Sequence, residues 1–109
     1  MKNKDLLRLK DAIFLAVEIG KKADSEYPDD SGSCNLDIVA IKMKGVRQSA
    51  IESAGLPGYL APANSRHTRR LYLPNPSSGQ ANRRTETAEA MANFLKEQGV
   101  ECYVHYQTD

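Results

Sequence analysis

The chain has no tryptophan, two phenylalanines, two cysteines and almost no net charge, and each shortage removes a class of protein. Two cysteines, Cys34 and Cys102, are too few for a disulfide scaffold, and no secretory apolar segment follows Met1-Lys2-Asn3-Lys4-Asp5. Reduced, buried thiols and a cytoplasmic location are therefore expected. No apolar run approaches the ~18 residues of a membrane-spanning helix, so no membrane partner is expected. A formal charge of +1 removes the argument that a strongly basic protein must seek nucleic acid. What is present is ordinary. With 109 residues, 40% hydrophobic and 27% charged, the chain has the means for one packed core and no more, a single domain over 1–109.

Periodicity supplies the elements. From Asn3 to about Ala23, Leu6, Leu9, Ile13, Ala16, Val17 and Gly20 recur at helical spacing, with Asn3 placed to cap the start and Pro28 beyond the end. The stretch Leu36 to Ile41 is apolar on both faces from Ile38 onward, which predicts a central strand. Val46, Ala50, Ile51 and Ala54 predict a short helix stopped by Gly55. Tyr59-Leu60-Ala61 and Arg70-Leu71-Tyr72-Leu73 read as a hairpin of short or edge strands beside Pro62 and Pro74. Ala88, Met91, Ala92 and Leu95 define a third helix ending at Gly99, and Cys102 to Gln107 alternate as a last strand. The sum is an α+β fold of two layers, about three helices on a four-stranded mixed sheet, in the order α-β-α-β-β-α-β.

The segment richest in chemistry is Ser77 to Thr85, a polar turn feeding a helix start. Its first amide N–H groups lack helical partners and the dipole adds positive charge, so the start attracts an anion. Arg83 and Arg84 oppose that dipole, a cost offset by a bound phosphate or by Glu86 and Glu89. A second polar turn carries Ser33, Asn35 and Asp37, suited to ribose hydroxyls or base edges. Together they predict a non-enzymatic binder of a nucleotide or other phosphorylated small molecule, held by Ser33, Asn35, Asp37, Gly79, Gln80, Asn82, Arg83, Arg84, Thr85 and Tyr106. The plainer reading is a capped helix whose arginines pair with nearby acids. The turn matches neither the phosphate-loop pattern nor the dinucleotide pattern.

Alternatives follow from other residues. Arg66, His67, Arg69, Arg70 and Tyr72 mix charge with a ring, and suggest a protein-inhibitor or nucleic-acid-binding ribbon. A Cys34 nucleophile with His67 or His105 as base is the weakest alternative, and the cysteines and histidines lack metal-ligand spacing. No catalytic set, metal or cofactor is expected. A modest core and an exposed sheet edge would favour a homo-oligomer.

Cys34-Asn35-Leu36-Asp37, Gly79-Gln80-Ala81-Asn82-Arg83-Arg84-Thr85 and Tyr106-Gln107-Thr108-Asp109 give the chain a family likeness. Over about its C-terminal three quarters it resembles short uncharacterised proteins encoded by bacteriophages and mobile elements. It departs from their pattern at Ala81, where a second glycine would sit, and its turn is stiffer for it. The resemblance brings no established activity. It implies a small accessory or anti-defence protein that acts by stoichiometric binding, on a small molecule or a host protein.

Overall fold

A computed structural model describes residues 3–26, 37–77 and 81–106, without the side chains of 3, 81 and 82. The elements are α1 (Asn3–Glu26), β1 (Ile38–Lys42), α2 (Gln48–Ala54), β2 (Tyr59–Ala61), β3 (Arg70–Tyr72), α3 (Ala81–Glu97) and β4 (Cys102–His105). The class and the order of elements are those expected from periodicity. Strand ends and the start of α2 differ by one or two residues from the expected ones, and two helix boundaries bear on the site. The first helix runs one turn past Ala23, to Glu26, and the third begins at Ala81, ahead of its first large apolar residue.

The four strands form one sheet in the order β2-β3-β1-β4. Every pairing is antiparallel, with Tyr59 opposite Tyr72, Ala40 opposite both Tyr72 and Tyr103, and Ile38 opposite His105. The expected mixed sheet is corrected on this point. Strands β3 and β4, joined through α3, do run parallel to each other, but β1 lies between them and pairs antiparallel with both. From β1 onward the path is the split β-α-β-β-α-β arrangement of ferredoxin-like sheets. β1 is central, as its two apolar faces required.

Strand alternation divides the sheet into two unlike faces. Val39, Ile41, Leu71 and Cys102 turn toward the helices and pack with Leu6, Ile13, Met91 and Leu95 in the core. At about 25 cal/mol per Å² of apolar area removed from water, burial of this kind is the main stabilising term. Gly20 lets α1 and α3 approach closely, because a Cβ there would lie 2.8 Å from the Met91 side chain. Ala40, Arg70, Tyr72, Tyr103 and His105 turn the other way, and none of them belongs to the core cluster. No described helix packs over them. No described helix is long and apolar enough to cross a membrane.

Candidate ligand-binding sites

The start of α3 is held by its own protein. Arg83 Nε donates to Asp24 Oδ1 at 2.8 Å and a terminal nitrogen donates to Oδ2 at 3.2 Å, a forked pair with the added last turn of α1. The Ser77 hydroxyl donates to the same carboxylate. Burial alone would raise the Asp24 carboxyl, but the Ser77 and Arg83 donors outweigh it and hold it below its usual value. The acid that offsets Arg83 is thus Asp24, from a helix 59 positions away in sequence, in place of Glu86 or Glu89.

Asp37 and Thr85 do converge. The Thr85 hydroxyl donates to Asp37 Oδ2, and the Asn75 side chain ties the two backbones by donating to Asp37 O at 2.9 Å and Arg84 O at 3.1 Å. Tyr106 lies close by, its hydroxyl donating to Glu89 Oε1 at 2.9 Å. That bond, with partial burial and the Glu89 and Asp37 charges, pushes the phenol above its usual value. Arg84 Nε is shielded from solvent and has no hydrogen-bond partner among the described residues. Ser33, Asn35, Gly79 and Gln80, and the side chain of Asn82, lie outside the described residues.

The second region is the open face of the sheet. Its β2–β3 loop is tied by Asn64, whose Oδ1 accepts the backbone N–H of both Arg66 and His67 at 2.8 Å. This turn sets the His67 ring on Tyr103, centroids 5.9 Å apart and 22° from parallel. Across the sheet, Tyr72 and His105 make a second ring pair at 5.4 Å and 40°. Between them Ala40, fully buried, keeps the floor low. Arg70 reaches over Tyr72 at 5.7 Å from its centroid, donating from Nε to the Tyr72 hydroxyl at 3.1 Å and weakly to Thr68 O.

Arg70 is only 7% exposed, and among the described residues no carboxylate lies within ion-pairing distance of it. A nearly buried guanidinium without a counter-ion is costly. It borders a cavity of about 160 Å³ lined also by Lys42, Arg66, His67, Thr68 and Tyr103. Lys42 has a weak, exposed partner in Glu101 at 3.9 Å. Burial and the neighbouring Tyr72 push the Tyr103 phenol up despite Arg70, so this ring is neutral at physiological pH. The face therefore offers fixed positive charge beside the uncharged Tyr103 ring.

Sequence reasoning grouped Arg66, His67, Arg69, Arg70 and Tyr72 but did not join Tyr103, His105 and Lys42 to them, and Arg69 departs from the group to donate to Val46 O at 2.7 Å. Alternation placed Tyr103 and His105 on one side of a strand; only the register with β1 reveals that this side is the one Tyr72 occupies. Cys102, on the opposite side, is free and buried, its thiol pushed up by burial against a smaller opposing effect of Lys96. Among the described residues no group of three His, Cys, Asp or Glu stands where it could hold a metal ion. Comparison with known protein families, curated proteins and solved structures gives no match.

Proposed function

We propose that the protein is a non-enzymatic binder of nucleotide-type ligands, with the phosphate seated among Lys42, Arg66 and Arg70 and the base laid against the His67–Tyr103 ring pair. The observation that carries this reading is Arg70, 7% exposed and lacking a carboxylate partner among the described residues. Guanidinium and phosphate pair through forked hydrogen bonds, and bases stack on neutral rings and on Arg planes. Stoichiometric capture accords with the likeness to phage-encoded proteins. Adding nucleoside monophosphates should raise the melting temperature, by about ten degrees at ligand a hundredfold over Kd. Arg66→Ala and Lys42→Ala, both at exposed positions, should abolish the rise while leaving the unliganded protein folded. No shift with any nucleoside mono-, di- or triphosphate would sink the reading.

A second reading rests on Arg84 Nε. Shielded from solvent and without a hydrogen-bond partner among the described residues, this donor in the first turn of α3 suits a phosphorylated ligand. Under it, Arg84→Ala removes the nucleotide-induced shift and Arg66→Ala does not, so the two variants separate the sites.

A further inference from the structure

We infer that the occupant of the open sheet face is single-stranded nucleic acid, spread over several nucleotides. This rests on the nucleotide-binding reading above and extends it from one unit to a strand. The argument is about surplus. A mononucleotide placed on the 160 Å³ cavity uses Arg70 and the His67–Tyr103 pair beside it. That leaves a second pair, Tyr72 and His105, and beyond it Tyr59, 64% exposed and opposite Tyr72 on the edge strand.

These groups form a path. Lys42 marks the cavity end of β1 and Ile38, opposite His105, the other end, a run of about 13 Å at the usual rise of ~3.3 Å per strand residue. Ring pairs stand on both sides of Ala40, so successive bases have surfaces at successive positions along the face. A flat sheet surface meets splayed bases, whereas a duplex hides its bases in the stack. Charge sets the class of strand-binding as well. Lys42, Arg66 and Arg70 neutralise about three phosphates, so the affinity for a single strand should change with salt at a log–log slope of about −2, shallow beside that of basic duplex binders.

The test uses the full chain and labelled oligonucleotides of one to eight units, ribo and deoxy, with a duplex of the same sequence, read by fluorescence anisotropy. Affinity should rise at least tenfold from the mononucleotide to the tetranucleotide and then level, with the duplex much weaker. Tyr59→Ala and His105→Ala should each lower oligonucleotide affinity about tenfold and leave the mononucleotide unaffected, while Arg66→Ala lowers both. Phe14→Ala, 68% exposed on α1, should change neither. Mononucleotide binding with no gain in length, or a gain that Tyr59 and His105 do not influence, overturns the strand inference and leaves the nucleotide reading standing. A failure of every ligand to bind overturns both. The ribo and deoxy arms decide whether a 2′-hydroxyl is read.

Discussion

At the scale of single residues, Arg83 and Arg70 show how one side-chain type takes opposite roles. Arg83 has a forked carboxylate partner, and its removal leaves Asp24 half-sheltered with only Ser77 donating. Arg83→Ala should cost about 2 kcal/mol in urea unfolding, between the values for exposed and fully buried pairs. The Asp24 carboxyl is held below its usual value, so the unfolded chain takes up this proton more readily than the folded one. Its contribution should be complete above about pH 4 and fade as pH falls through the lowered value. Arg83→Ala should flatten that acid limb, measurable as unfolding free energy between about pH 6 and about pH 2. A limb of unchanged steepness would show the pair to be energetically idle. Gly58 is constrained differently: its φ is +102°, and a Cβ would sit 2.3 Å from the Tyr72 carbonyl oxygen. Gly58→Ala should cost about 2 to 3 kcal/mol and loosen the β2–β3 pairing, seen as faster amide exchange at Ala61 and Tyr72.

At the scale of elements, the β2–β3 loop is built by one side chain. Asn64→Ala strips the acceptor from two backbone N–H groups and frees the arc that holds Arg66 and His67 over Tyr103. The loop is exposed, so stability should fall by about 1 kcal/mol or less, while nucleotide affinity drops severalfold. An unchanged affinity would mean that the loop is not part of the binding surface. The same elements show what was legible beforehand. Helical spacing in α1 and α3 and the two-faced apolar run of β1 identified elements and their order, because burial imposes those periods directly. Antiparallel pairing throughout was not legible. Crossovers through a helix ordinarily make parallel neighbours, and nothing in the linear pattern says that β1 inserts between β3 and β4. The partner of Arg83 was hidden for a similar reason: Asp24 is brought to it only by the packing of α1 on α3. The open face was half visible, through the Arg66 to Tyr72 segment, and its other half required a register.

At the scale of the whole molecule, α1 is the longest element, about 36 Å at 1.5 Å per residue, and runs nearly the 41 Å length of the protein. It lies on α3, touches α2 and, through Asp24, fastens the start of α3. Such a spine should make unfolding one event: loss of helical circular dichroism and of tyrosine fluorescence should coincide in urea. Separate transitions would show that the sheet face outlives the helix layer. The insertion of β1 has a consequence in time as well as in space. Of the two ring pairs on the open face, each takes one ring from residues 67–72 and one from β4, at Tyr103 or His105. Neither half makes the surface alone. During synthesis the ribosome must deliver all of α3 and then β4 before the surface exists, so a growing chain cannot engage a ligand there until its sheet is closed.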